Sequence, residues 1–181
     1  NDNSENDYPL IATSDSELFV SLYYSASSNF ITHGEILQMD KNAGYAGAAL
    51  INTVKYDAPI SGSVKGTLIP APGGSTSYGP NMFFMMEDET GNISNKYVLY
   101  EVTNTIASGS AALNRYGPFN TNLPYQGSGV SFQPGGLQME ANSSEIENAF
   151  YENGIIQFCQ NSQTNGKASA YVGRVSGIPN N

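Results

Sequence analysis

The chain has 181 residues, only 13% of which are charged, and a formal net charge of −9. Its seven basic residues are scattered along the sequence. Nucleic acids and anionic membrane surfaces attract clustered Lys and Arg, so neither is expected as a partner. The length predicts one domain, and no apolar run reaches the roughly 20 residues that span a bilayer.

The low charge leaves uncharged polar residues to cover the surface, which is common outside the cell. The first residue is Asn1 rather than Met, and we expect a mature extracellular or cell-surface chain from which a signal peptide has been removed. A single cysteine, Cys159, excludes an internal disulfide. Its apolar neighbours Ile156 and Phe158 predict a strand in which Cys159 acts as a small hydrophobic residue.

The N-terminal segment begins with seven polar residues and continues, from Tyr8 to Tyr24, with the alternation of a β-strand. Leu18, Val20 and Leu22 share one face of that strand. A polar leader before strand-forming sequence indicates a terminus that pairs with a sheet, which another copy of the chain could supply. We therefore predict an N-terminal arm at residues 1–24 and a sandwich domain at residues 25–181.

The rest of the chain also follows the period of a strand. Further strands are predicted at 29–39, 45–56, 60–69, 81–88, 97–102, 128–133, 154–160 and 167–172. Turn signals such as Gly117-Pro118 and Asn165-Gly166 separate them. The segment 81–102 resembles a hairpin, and its apolar run at 82–86 predicts a central strand covered on both sides. The predicted fold is all-β: a single β-sandwich or jelly roll with an extended N-terminal arm and one short helix.

The short helix is predicted near residues 143–152. Asn142 and Glu145 have the spacing of a capping box. Ile146, Ala149 and Phe150 follow at the spacing of one helical face. Such a helix would close one end of the sandwich.

No catalytic residue is expected. His33 is the only histidine, so any Ser-His-Asp or Cys-His mechanism would need it. No Gly-x-Ser-x-Gly motif accompanies it, and a structural histidine is favoured. One His and one Cys also argue against a typical zinc site. The sixteen carboxylates leave a glycosidase pair open, because that chemistry needs only two suitably spaced groups.

No cofactor is expected, although Glu87, Asp88 and Glu89 with the residues after them could form a calcium loop. That segment lacks the Asp-x-Asp-x-Asp-Gly order, which favours an acidic hairpin tip facing solvent. Asn92 and Asn142 begin N-glycosylation sequons and are predicted to lie at the surface.

Tyrosine is the prominent aromatic residue, with twelve copies and no Trp. Most lie at alternating strand positions, where β-propensity explains them. Tyr78, Tyr116 and Tyr125 lie in loops rich in Gly and Pro. They are candidates for contact with a surface glycan, and packing within turns is the alternative.

The arm at residues 1–24 before a sandwich resembles the subunits of donor-strand surface filaments, of the archaeal-thread and bundling-pilus type. The resemblance implies that the arm of one subunit fills a groove in the next by β-augmentation, and that this head-to-tail contact propagates as a homopolymer. The donor side chains would be Leu10, Ala12, Leu18, Val20 and Leu22. The alternatives are a secreted carbohydrate-binding module or lectin, then a viral capsid or tail jelly roll, then a hydrolase.

Overall fold

The structure is a computed structural model that describes residues 5–26, 30–49, 52–59, 67–76, 78–87, 93–126, 131–132, 134–136, 138–139 and 145–178. β-Strands fill most of these ranges, and the prediction of an all-β sandwich is confirmed. The strands form three antiparallel sheets and a small two-stranded ribbon.

Each sheet is a meander whose strands follow the order of the sequence. The first sheet contains β1 (Glu5–Thr13), β2 (Glu17–Ala26), β3 (Phe30–Asp40) and β4 (Thr53–Pro59). The middle sheet contains β5 (Ile69–Ala71), β6 (Met82–Glu87), β7 (Ile93–Thr103) and β8 (Ala112–Gln126). The ribbon pairs β9 (Ser131–Phe132) with β10 (Gln138–Met139), and the last sheet contains β11 (Ile146–Glu152), β12 (Ile155–Thr164) and β13 (Lys167–Ser176).

The one α-helix of the described residues is α1 (Lys41–Tyr45). Asp40 caps it, because its side chain accepts hydrogen bonds from the backbone N–H groups of Asn42 and Ala43. The strand predicted at 45–56 therefore begins only at Thr53. A 3₁₀ turn at Ile106–Ser108 is the other helical piece.

The helix predicted near residues 143–152 is wrong, because Ile146–Glu152 is strand β11, paired with β12. A β-bulge between Ile146 and Asn148 explains the misleading pattern. The extra residue moves the next buried position from i+2 to i+3, so Ile146 and Ala149 are both buried, as they would be on a helix.

The middle sheet is covered on both faces. All six residues of β6 are buried. Phe84 meets Phe19 of the first sheet edge to face, with ring centroids 6.0 Å apart. On the opposite face Phe83 lies 5.4 Å from the Tyr151 ring of the last sheet. The prediction of a central strand covered on both sides is confirmed, and the sandwich has three layers.

The three sheets are in contact at their first strands. The amide of Tyr151 on β11 donates to the carbonyl of Pro72, just after β5, at 2.8 Å, and the amide of Gly74 donates back to the Tyr151 carbonyl at 3.0 Å. β1 also lies beside β5. The last strands β4, β8 and β13 lie at the opposite edges of their sheets. Contact between the middle and last sheets continues there, because the rings of Tyr125 on β8 and Tyr171 on β13 lie 6.1 Å apart.

An aromatic ring covers a glycine in the last sheet. Phe158 on β12 lies directly opposite Gly173 on β13, and a methyl group on Gly173 would overlap the Phe158 ring. The Phe158 ring also packs 4.7 Å from the Tyr97 ring of the middle sheet, which restricts its movement in that direction.

We expect Gly173→Ala to lower the free energy of unfolding by about 1–3 kcal/mol through overpacking. Adding Phe158→Leu should recover part of that loss, so the double variant should be more stable than additivity predicts. Urea unfolding measures both. Ser176→Ala, an exposed change on the same strand, is the control and should stay within about 0.5 kcal/mol of the wild type.

Glu17 is a carboxylate buried between the first two sheets and is only 2% exposed. One of its oxygens accepts from the amide of Ile106 at 3.1 Å, and the other has no hydrogen-bond partner among the residues that the structure describes. Burial raises the pKa of Glu17, the Ile106 amide opposes that rise, and the charge of Asp40 adds to it.

The folded chain therefore holds the Glu17 proton more tightly than the unfolded chain, whose pKa is about 4.5. The resulting stability is complete below that value and is lost as the pH rises through the folded pKa. We expect Glu17→Gln to unfold at higher urea than the wild type near neutral pH, with the difference shrinking in acid. A difference that stays constant with pH would contradict this, and the exposed Glu147→Gln is the control.

Candidate assembly site

The predicted arm is a β-hairpin in this chain. β1 pairs with β2, and β2 lies between β1 and β3. Among the described strands, β1 therefore forms the edge of the first sheet and β2 an interior strand. Residues 5–13 can leave the sheet without breaking any other strand pair, whereas removal of residues 17–26 would dismantle the sheet. If part of the predicted arm is donated to another copy, that part is therefore β1 and not β2.

The five candidate donor residues lie on both faces of the first sheet. Leu10 and Ala12 belong to the face that meets the middle sheet, where Ala12 is buried. Leu18, Val20 and Leu22 lie half-buried on the opposite face.

Phe19 and Ser21, which alternate with these three residues along β2, point inward. Phe19 is fully buried against Phe84, and the Ser21 hydroxyl donates to the carbonyl of Leu68 at 2.7 Å. β2 has the alternation predicted from sequence, but its aliphatic residues Leu18, Val20 and Leu22 point away from the core.

β1 pairs irregularly with its neighbour. The register shifts between Asp7 and Leu10, and Tyr8 between them has a positive φ of 57°. Ile11 is 71% exposed. The turn after β1 is anchored independently, because the carbonyl of Ser14 accepts from the Lys41 ammonium at 2.6 Å. β1 could therefore leave its place beside β2 while the turn at Ser14 stays in position.

A groove of about 820 Å³ lies between the outer strands of the middle and last sheets. One wall is the end of β8, and the other is β13. Each of these strands is paired on one side only among the described strands. The apolar lining includes Tyr97, Phe119, Leu123, Tyr171, Val175 and Ile178.

Within the described part of the chain, the groove offers unpaired backbone as well as apolar surface, which is what an added strand requires. β13 has ten residues and β1 has nine, so at about 3.3 Å per residue both are roughly 30 Å long. The Tyr171 hydroxyl crosses the groove and donates to the carbonyl of Leu123 at 3.0 Å.

Two of the three candidate ligand tyrosines are core residues. Tyr78 is 8% exposed, and its hydroxyl donates to the carbonyl of Ala71. Burial raises its pKa. Tyr125 is 1% exposed and donates to the carbonyl of Lys96. Neither ring can meet a ligand at the surface. The prediction of ligand contact is wrong for these two tyrosines, and the alternative prediction, packing inside the protein, describes both.

Tyr116 is the exception, at 39% exposed. Its hydroxyl donates to a carboxylate oxygen of Glu101 at 2.6 Å, and this bond raises the Tyr116 pKa. Asn81 donates to the other oxygen of that carboxylate. Because 39% of Tyr116 is exposed, this residue can still contact a surface ligand, although its hydroxyl is already hydrogen-bonded to Glu101.

The acidic segment begins at Glu87, the last residue of β6, and this residue differs from the prediction. Glu87 does not face solvent: it is fully buried, and its carboxylate accepts from the amide of Ile146 in the last sheet. Asp88 and Glu89, the other calcium candidates, and both glycosylation candidates, Asn92 and Asn142, lie outside the described residues.

An ionic cluster lies on the outward face of the first sheet. The Lys55 ammonium lies 2.5 Å from a carboxylate oxygen of Glu35 and 3.4 Å from one of Asp57. His33 lies 3.2 Å and 3.7 Å from the same two oxygens. Glu35 raises the pKa of Lys55 by accepting its hydrogen bond. The His and carboxylate atoms are close enough to share a metal ion, but the Lys55 ammonium already contacts both carboxylates and offsets one of their two negative charges.

Sequence reasoning missed this cluster. Its signal is the i, i+2 spacing of His33 with Glu35 and of Lys55 with Asp57, which places each pair on one face of its strand. The antiparallel register that joins the two pairs is known only from the structure.

The described residues contain no helix long and apolar enough to cross a membrane. No family model, curated protein or solved structure matches the chain. Any functional proposal therefore depends on the geometry of the chain itself.

Proposed function

We propose that the protein is a non-enzymatic, extracellular structural protein, a subunit of a cell-surface filament that grows when each copy donates its N-terminal strand to the next. The observation that supports this is the groove between β8 and β13, where an apolar lining is flanked by two strand edges that have no partner strand among the described residues. The occupant is β1 of a neighbouring copy.

β1 suits this role because it is an edge strand with an irregular register and an anchored turn behind it. Its sequence carries Glu5 and Asp7, whose charges complement Arg174, an exposed residue of the groove lining. Its apolar positions Leu10 and Ala12 can enter the groove on one face of the donated strand.

The free energy of exchange comes mainly from apolar burial. Leaving β2 breaks one ladder of backbone hydrogen bonds, and entering the groove forms another, so these contributions nearly cancel. The gain is the apolar groove surface removed from water, at about 25 cal/mol per Å². A contact between two different surfaces propagates as an open fibre unless its rotation closes a ring.

Leu123→Lys tests the groove. Leu123 is 69% exposed, so the fold should tolerate the change, but the ammonium would be buried beneath a donated strand. We expect the concentration needed for filament growth to rise by more than about tenfold, as measured by electron microscopy and sedimentation. Tyr45→Lys, at an 81% exposed position outside the groove, is the matched control.

A peptide of residues 5–13 should cap free grooves and shorten the filaments, whereas a scrambled peptide should not. Wild-type protein that stays monomeric at every concentration and does not bind the peptide would refute strand donation.

A secreted carbohydrate-binding module is the second candidate. It is favoured by the polar part of the same groove, where Asn120, Asn122 and Thr164 lie near the rings of Phe119 and Tyr171. Glycan-array binding that is lost in Phe119→Ala and retained in Tyr45→Lys would select this function over filament assembly.

A further inference from the structure

The ionic cluster on the outward face of the first sheet contains the ligand atoms of a metal site. His33 and Glu35 lie two residues apart on β3, and Asp57 lies directly opposite Glu35 on β4. The imidazole nitrogen and the two carboxylate oxygens all lie within 4.8 Å of one another. Zinc binds both imidazole nitrogen and carboxylate oxygen, so one His and two carboxylates form a set that it accepts.

The distances within this set match those of coordinated atoms. Ligands that share a tetrahedral zinc ion at about 2.0–2.2 Å lie about 3.3–3.6 Å from one another. Nε2 of His33 lies 3.2 Å from the Glu35 oxygen and 3.7 Å from the Asp57 oxygen. The first separation also suits a hydrogen bond, but the second is too long for one. A shared cation accounts for both.

The three ligands also differ usefully in burial. The Glu35 side chain is 7% exposed, that of His33 26% and that of Asp57 64%. Their strands are held in place, because β3 pairs with β2 on one side and with β4 on the other. The site therefore has a fixed inner carboxylate and an opening to solvent, where water could supply the fourth ligand of a zinc ion.

The Lys55 ammonium shows that a cation is accommodated at this place. It lies 2.5 Å and 3.4 Å from the same Glu35 and Asp57 oxygens that His33 approaches. A protonated ammonium cannot ligate a metal, but the Lys55 side chain is 51% exposed and can move into solvent. A divalent ion that replaced it would match the charge of the two carboxylates.

We propose that His33, Glu35 and Asp57 bind a divalent ion of the zinc class, and that the Lys55 ammonium competes with this ion for the two carboxylates. The ion would join β3 to β4, which is an edge strand among the described strands. None of these four residues lines the groove between β8 and β13. The proposal therefore goes beyond filament assembly and does not depend on it.

Titration of the untagged protein with Zn²⁺ in a calorimeter tests the site. Cys159 is exposed, contrary to the expectation from its neighbours, and its thiolate could also bind zinc, so every protein in the series carries Cys159→Ser. We expect one ion per chain. His33→Gln and Asp57→Asn should each raise the dissociation constant at least about tenfold, since even the partners of metal ligands affect affinity by 10–100-fold. Glu147→Gln removes an exposed carboxylate from the last sheet and should leave the constant unchanged.

Lys55→Met distinguishes this site from casual binding to surface carboxylates. The substitution removes the competing positive charge and keeps every ligand, so zinc should bind at least about tenfold more tightly. A thermal melt in EDTA verifies that the variants fold. His33→Gln and Asp57→Asn decide the proposal alone if Lys55→Met does not fold.

Zinc should also raise the melting temperature of the Cys159→Ser protein, and should do so much less when His33→Gln is added, because an ion that binds only the folded chain stabilises it. Absence of saturable binding, or an unchanged affinity in both His33→Gln and Asp57→Asn, would overturn the proposal. Zinc binding that is no tighter in folded Lys55→Met would overturn the competition. A preference for Ca²⁺ over Zn²⁺ would overturn the role of His33, because calcium takes oxygen ligands.

Discussion

The structure depends on burying β6 from both sides. Adjacent residues of a strand point to opposite faces, and every residue from Met82 to Glu87 is buried. Phe84 needs the first sheet and Phe83 needs the last, so water can be excluded from the middle sheet only when both neighbours are in place. Burial of each large apolar side chain contributes about 1.5–3 kcal/mol, which makes this strand the largest reason for the three layers to fold together.

Polar groups inside the stack fix how the layers align. The buried Glu87 carboxylate accepts from the amide of Ile146, and the Tyr97 hydroxyl donates to the Gln160 side chain at 2.7 Å. Both bonds cross from the middle sheet to the last. A slip of one sheet over the other would leave these groups buried without partners, at about 1–3 kcal/mol each. Apolar contact brings the sheets together, and these bonds select one alignment.

The sequence predicted what depends on local periodicity. The hairpin of β6 and β7 and the strands β2, β12 and β13 follow from alternation. The helix predicted near 143–152 failed because a bulge spaces Ile146 and Ala149 like helical neighbours. β8 was missed because Gly117-Pro118, a turn signal, lies inside a strand that continues through a register shift. Alternation also cannot tell which face of a strand is inward: Leu18, Val20 and Leu22 form the more apolar set, yet Phe19 and Ser21 occupy the core.

The candidate sites were less predictable because each is formed by residues that only the sheet topology brings together. The groove joins β8 to β13, and the ionic cluster joins β3 to β4. Alternation shows which side chains share a face of one strand, whereas the meeting of two strands depends on the register of the whole sheet. The pairing of His33 with Glu35 is therefore visible in the sequence, and the approach of Lys55 and Asp57 to that pair is not.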